Sequence, residues 1–378
     1  MQPIKQIVMI KKELNKFVKS LKEKDKVNFL INHSSDEDDE WKGLQAKNEA
    51  LCINIATSFS GIGSPEYALK RLNISHNILF AGDIDEFCKE TYFANYAIQE
   101  DSWHGDVRQF EATDYDGRVD LFVGGSPCQS FSIGGKRKGF EESRGTLFYE
   151  YARLVKECKP KVFIYENVTG LMNHDGGHTW EVVSQTFDEL GYIWTSWVLN
   201  SKDYGIPQNR KRVYVVGIRA DLSEFAKKLI KPIERPLVYE VEDLLETFVP
   251  NKYYLPEKGF LRVIDPKHLR HVALNSKIAR TQIANQQYNW YGDIRVETDI
   301  PQRIEDDPRI FKEFFRGERC VTRCLTPREC LRLMGYDEYF KVVVNDQQQY
   351  KQCGNSIVVN VMMEVIKAII KTGVYYAQ

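Results

Sequence analysis

Short apolar runs alternate with helical patterns along most of the chain. Residues 52–57 form a mostly apolar run that ends in Ser58-Phe59-Ser60-Gly61-Ile62-Gly63. Further runs follow at 78–81, 119–123, 162–165 and 213–217, with helical patterns between them at 86–95, 147–158 and 180–190. Strands alternating with helices predict an α/β fold with a mainly parallel sheet covered on both faces. Nearly continuous apolar strands fit that arrangement, because both of their faces are buried. Ser64-Pro65 predicts a helix start, with a hydroxyl N-cap and proline at the first helical position. Thr326-Pro327-Arg328-Glu329 reads as a capping box and Gly335 as a stop. Residues 357–371 read as a final amphipathic helix.

Two stretches break the pattern. From about 221 to 321 the alternation fades into irregular spacing with scattered aromatic and basic residues, which predicts a smaller second domain. Residues 1–50 combine a Lys-rich amphipathic stretch at 10–26 with an acidic run at 36–40. They read as a short helix and a solvated linker. The expected division is therefore 1–50 as an N-terminal extension, 51–220 as the main domain, 221–321 as the smaller one, and 322–378 as a return to the main domain.

The 378 residues suffice for a sizeable core. No uninterrupted apolar stretch approaches 18 residues, which argues against a membrane span. The start lacks an apolar core of the secretory kind. Eight cysteines in such a chain suggest reduced thiols rather than a disulfide framework. Cys320, Cys324 and Cys330 lack the paired spacing of a zinc site, so no metal is expected. A net charge of −1 argues, taken alone, weakly against a nucleic-acid partner.

The chemistry gathers at strand ends. A strand, a glycine turn and a helix form a nucleotide site at the carboxyl edge of a sheet. The dinucleotide fingerprint needs a third glycine where Glu66 stands, and a carboxylate is a poor neighbour for a pyrophosphate. The loop thus favours a nucleoside without phosphates, such as S-adenosylmethionine, over NAD; the bland alternative is a tight turn. Asp83 closes the second strand, where an acidic residue holds ribose hydroxyls. Cys128 follows a strand in Gly124-Gly125-Ser126-Pro127-Cys128. A lone cysteine is commonly inert core, but this one sits in a rigid turn, where Arg210 and Arg212 would supply the cationic surroundings that a thiolate needs. Glu166 ends an apolar run, and desolvation there raises a carboxyl pKa; its alternative is a structural ion pair.

The ordered series Phe59-Ser60-Gly61-Ile62-Gly63, Gly105-Asp106-Val107, Gly125-Ser126-Pro127-Cys128-Gln129-Ser130-Phe131-Ser132, Arg144-Gly145-Thr146-Leu147, Glu166-Asn167-Val168, Gln208-Asn209-Arg210-Lys211-Arg212, Thr326-Pro327-Arg328-Glu329-Cys330 and Gly354-Asn355-Ser356 resembles that of the DNA (cytosine-5) methyltransferases, especially the bacterial and phage modification enzymes. The resemblance covers roughly residues 52–371, apart from the variable segment. It implies an S-adenosylmethionine-dependent methyltransferase fold, Rossmann-like, with a doubly wound mixed sheet and a target-recognition domain at 221–321. It also implies that Cys128 attacks C6 of a flipped-out cytosine in duplex DNA. Glu166 would bind the N3 edge with support from Asn167. Arg212 would reach O2, and Arg210 would lie near the thiolate and a phosphate. Phe59, Gly61, Ile62, Gly63, Asp83, Ile84, Asp106, Val107, Leu147 and Asn355 fall on cofactor positions, with Asp106 at the adenine amino group and Ile84 and Val107 around the ring. Ile84 is smaller than the tryptophan common at its position.

For DNA, the resemblance and the local charge point to Ser132, Lys136, Arg137, Lys138 and Gln208, with residues 282–289 as a candidate base-reading element. A glycine-rich basic loop beside Cys128 is suited to closing on phosphates. The expected setting is a cytoplasmic monomer on nucleoid DNA, paired or not with a separately acting restriction endonuclease. The alternatives are the tRNA-methylating branch of the same fold, whose Cys-Phe-Thr element is not found in the variable region, and a silent DNA-binding module, which the intact Cys128, Glu166 and Arg212 set disfavours.

Overall fold

A computed structural model describes residues 21–33, 41, 51–127, 147–268, 271–286 and 290–376. Cys128, Ser132, Lys136, Arg137 and Lys138 lie outside the described residues, as do the acidic run at 36–40 and residues 287–289.

Seven strands form the main sheet: β1 (Cys52–Ser58), β2 (Ser75–Gly82), β3 (Trp103–His104), β4 (Leu121–Gly124), β5 (Val162–Val168), β6 (Tyr192–Asn200) and β7 (Lys211–Arg219). Their order is β3-β2-β1-β4-β5-β7-β6. The first five are mutually parallel; β7 runs antiparallel to them, and β6, antiparallel to β7, closes the edge. The mixed sheet thus agrees with the resemblance and qualifies the mainly parallel pattern read from the apolar runs. The sequence reading missed β6. It is an edge strand with two exposed and three half-buried positions, so its apolar run is broken.

Period-two side chains assign the two faces. Ile53, Ile55, Leu121, Val123, Val162, Ile164, Tyr214 and Val216 point to one layer. There they meet α2 (Ser64–Arg71) and the buried helix α9 (Val359–Thr372). Phe122, Phe163, Tyr165, Val213 and Val215 point to the other layer, covered by α4 (Leu147–Cys158) and α5 (His178–Glu189). Helix α3 (Glu86–Asn95), whose bounds match the sequence pattern, packs Cys88 into the large core. The stretch Asp346–Thr372 is long and apolar enough to cross a membrane, yet 89% of its most apolar window is buried inside the protein.

The N-terminal segment departs from expectation. Helix α1 (Glu23–His33) packs Val27, Leu30 and Ile31 into the large core, together with Trp41. Glu23 pairs with the buried Arg332 at 3.0 Å, and Asn28 accepts from Glu338 N at 2.9 Å. This part of the chain is core rather than solvated linker.

A second sheet, β10-β11-β9-β8, comprises β8 (Val272–Leu274), β9 (Gly292–Glu297), β10 (Glu313–Phe315) and β11 (Glu318–Cys324). It carries its own small clusters around Val249, Tyr254 and Ile304, and around Leu255, Val263 and Ile294 on α6 (Glu257–Ile264) and β9. Residues 222–245 pack on the large core instead. The independent packing of the smaller unit therefore starts near Val249 and not at residue 221. After β11 the chain returns through α7 (Pro327–Arg332) and α8 (Asp346–Asn355) to the large core.

Candidate active site

The carboxyl ends of β1, β2, β4 and β5 meet at one rim. After β1 the backbone turns sharply: Phe59, Gly61 and Gly63 have φ of 54°, 55° and 79°. Gly63 caps α2 in the left-handed region, where a Cβ would also meet the Tyr96 ring at 2.3 Å. Glycine is needed there for both reasons. The expected Ser64 N-cap is thereby corrected. Ser64 lies inside the helix, and its Oγ is 2.8 Å from both Tyr336 Oη and Ser356 Oγ.

Glu66 does not face the cleft. It is fully buried beneath the loop and accepts from Thr57 Oγ1 at 2.8 Å and Tyr92 Oη at 2.7 Å. Burial pushes its carboxyl above the usual range. Thr57 also contacts Ser60 Oγ at 2.8 Å, and Ser60 Oγ accepts from Gly82 N at 2.9 Å. A continuous polar chain thus ties the loop to β1, β2 and α3. Glu66 supports the loop; it does not repel a ligand from it.

The cleft above this loop is lined by Ser58, Phe59, Gly61, Pro65, Gly125 and Asn355, among others. No Lys or Arg lines it among the described residues. Asp83 accepts from Gly61 N at 2.9 Å, and burial raises its carboxyl. Ile84 beside it is 71% exposed, an apolar surface with nothing on it. Ser58 Oγ is buried without a partner. Carboxylates, an uncovered apolar side chain and an unsatisfied hydroxyl suit a nucleoside with an amino-acid tail and disfavour phosphates. S-adenosylmethionine therefore fits; Asp83 could hold the ribose, Ile84 could cover the ring and the loop could take the tail. Asp106 forks onto Arg108 (2.9 and 2.7 Å), which pulls its carboxyl down to about 2. Val107 is buried and Leu147 half-buried. Ile62 packs its side chain in the large core, so in the loop it presents its backbone.

Glu166 stands near the end of β5 with its side chain 12% exposed. Antiparallel pairing sets Val168 opposite Arg212, which brings Arg212 Nε to 3.3 Å from Glu166 Oε1. No hydrogen bond satisfies that oxygen. Burial raises the carboxyl, and the Arg212 and Arg210 charges oppose the rise only in part. The result is a desolvated carboxyl with spare capacity for an incoming partner. Asn167 is buried beside it and donates to Ser126 O at 2.9 Å and Tyr165 Oη at 2.8 Å. Ser126 Oγ meets the same Tyr165 hydroxyl at 2.8 Å. Asn167 and Tyr165 thus hold the turn that runs into Cys128. Tyr165 was missed by the sequence reading, because a tyrosine in an apolar run looks like core.

Two further expectations are corrected. Gln208 is fully buried, donating to Leu333 O at 2.7 Å and accepting from Gln282 N at 2.9 Å. An amide spent at both ends inside the protein is scaffold, not a DNA contact. Arg210 is 4% exposed, and its terminal nitrogens donate to Gln282 O, Gly354 O and Ser356 O. It acts on Glu166 by charge at a distance and is not free to grip a phosphate. Gln286 is likewise buried, its amide donating to Cys330 Sγ at 3.0 Å. Gln282 is buried too, held through its backbone by Gln208 and Arg210, while its side-chain oxygen has no partner. An open groove runs beside them, lined by Asn209, Ile278, Ala279, Arg280 and Thr281.

Comparison with known proteins agrees with this geometry. The chain is 36% identical over 336 residues to the Type II methyltransferase M.HhaI of Haemophilus parahaemolyticus, covering 85% of this chain and 96% of that protein. It is 33% identical to M.SsoII of Shigella sonnei (83% and 79% covered) and 30% identical to the orphan methyltransferase M.SPRI of Bacillus phage SPR (85% and 98%). In fold it resembles a DNMT2 variant from Spodoptera frugiperda, with a TM-score of 0.63 at 22% identity, covering 84% of this chain and 99% of that one. Residues 53–371, from the first residues of β1 to the end of the last core helix, match the sequence model of the C-5 cytosine-specific DNA methylases. A cleft suited to S-adenosylmethionine and an unsatisfied buried carboxyl share one rim in a chain with these relatives, and the chain belongs to that family as an S-adenosylmethionine-dependent DNA (cytosine-5) methyltransferase.

Proposed function

We propose that the enzyme methylates a cytosine swung out of duplex DNA, through a covalent bond between Cys128 Sγ and C6. The observation that carries this reading is the Glu166 carboxyl: buried, without a hydrogen bond, and beside a turn that Asn167 holds and that leads to Cys128. As Sγ bonds C6, Glu166 gives a proton to N3, and the electron pair moves to C5. Arg212 steadies Glu166 and meets O2. S-adenosylmethionine, when bound, supplies the methyl group as an electrophile. A base then removes the C5 proton, the C6–S bond breaks, and N3 returns its proton to Glu166. Covalent attack divides one difficult step into easier ones. Extrusion is required because C5 and C6 lie inside the base stack.

Ser132, Lys136, Arg137 and Lys138 would meet phosphates. The smaller unit with its four-stranded sheet would read the target. The Type II names of the relatives support action within a restriction system, and the orphan name of the phage relative supports a solitary role. The enzyme would act as a monomer, and any endonuclease would work separately.

The test is tritiated methyl transfer from S-adenosylmethionine to mixed-sequence duplex DNA and to tRNA, with bisulfite sequencing of DNA from expressing cells. Label on C5 of cytosine in DNA, abolished in Cys128→Ala, is expected. Label on tRNA alone would replace the DNA reading with the tRNA branch, and full activity in Cys128→Ala would exclude the covalent route.

A further inference from the structure

Arg210 is a buried cation, and the carbonyls it touches lie in or directly beside the walls of the two clefts: Ser356 lines the cofactor cleft, Gly354 precedes the lining residue Asn355, and Gln282 follows the groove residue Thr281. Nη2 donates to Gly354 O at 3.0 Å and to Ser356 O at 2.8 Å, so it grips the peptide on both sides of Asn355. Asn355 lines the cofactor cleft. Nη1 donates to Gln282 O at 2.8 Å. Gln282 directly follows the segment that walls the open groove, and its N–H is held by Gln208. The contact is close: a Cβ on Gly354 would meet Ala284 N at 2.1 Å. Ser356 continues the path, because its Oγ lies 2.8 Å from Ser64 Oγ at the start of α2, directly after the glycine loop.

A cation bonded to several carbonyls makes short, strong hydrogen bonds, and a planar guanidinium fixes their relative directions. The two walls therefore cannot shift independently. We propose that Arg210 is a positioning residue that couples the two substrates: ordering of the groove wall by DNA stabilises the Asn355 wall of the cofactor cleft, and the reverse. This rests on the proposed DNA reading, with the groove taken as part of the DNA-facing side.

Coupling of this kind is reciprocal and is measured as a ratio of affinities. The experiment titrates S-adenosylhomocysteine into the full-length protein by calorimetry, with and without a duplex carrying the methylated sequence. It also measures duplex affinity with and without S-adenosylhomocysteine. In the wild type each ligand should tighten the other by the same factor, at least roughly fivefold. Arg210→Ala should bring both factors to within about twofold of one, and Arg210→Lys, which keeps the charge but not the fork, should recover only part. Ser64→Ala, which cuts the far link and leaves Arg210 in place, should lower the factor too and serves if Arg210→Ala does not fold. Wild-type coupling in a folded Arg210→Ala or in Ser64→Ala overturns the proposal. So does a wild type whose factor is one, and in that case the methylation reading still stands if label reaches cytosine.

Discussion

Glu166 owes its character to three neighbours rather than to its own chemistry. The sheet desolvates it, Arg212 faces it without a true hydrogen bond, and Asn167 turns aside to hold Ser126. Its position at a strand end was legible in the sequence. Its unsatisfied oxygen was not, because that depends on the antiparallel register of β5 and β7, strands separated by more than 40 residues. Glu166→Gln keeps the shape but cannot transfer the proton, so methylation should fall by roughly 10² to 10⁴-fold while the protein stays folded; methyl transfer and calorimetry check the two. The raised pKa has a sign. The protonated carboxyl persists above the usual carboxylate range, so the part of the rate that needs it should fall as pH rises through the raised value. The stability it contributes is present below the unfolded carboxyl pKa and is lost as pH rises through the folded one. Unfolding and single-turnover rates measured across pH should therefore show a descending limb in the wild type that Glu166→Gln lacks.

Among the elements, those with strong local signals form where the sequence places them. The Thr326 capping box is present in full: Thr326 Oγ1 accepts from Glu329 N at 3.1 Å, and Glu329 accepts from Thr326 N at 2.8 Å. The same glutamate holds the buried Arg323 at 2.8 Å, which ties the cap of α7 to β11. Thr326→Ala should cost about 1 kcal/mol, read as a lower urea midpoint at unchanged slope. A midpoint shift within error would mean that the cap is redundant with the Arg323 pair. Helix α2 shows the opposite outcome. Its serine has the right chemistry for a cap, but Ser356 and Tyr336, nearly 300 residues away in sequence, take the hydroxyl, and Gly63 supplies the turn. Strand β6 escaped notice because an edge strand buries only part of its side chains.

Across the molecule, the N-terminal helix is the largest departure from the sequence reading. Glu23 bonds to Arg332 at the end of α7 and Asn28 to Glu338 just after it, and Leu30 and Ile31 lie in the same core as α9. Leu30→Ala should therefore destabilise the full-length enzyme by about 2–5 kcal/mol, visible as a lower thermal midpoint with no change in cofactor affinity at low temperature. A change under about half a kcal/mol, within the range of an ordinary surface substitution, would show that α1 adds little to the core.

Residue type and spacing alone determined the alternating α/β order, the glycine loop, the carboxylates at the strand ends and the family. Each depends on neighbours within a few positions, where backbone preference and side-chain period act directly. The jobs of Gln208, Arg210, Gln282 and Ser64 were decided by folding. A long polar side chain has the same sequence signature whether it reaches DNA or a carbonyl, and only the packing of distant segments chooses between them. Here that packing buried all four, and it turned a motif that looked like DNA-facing chemistry into the joint between two clefts.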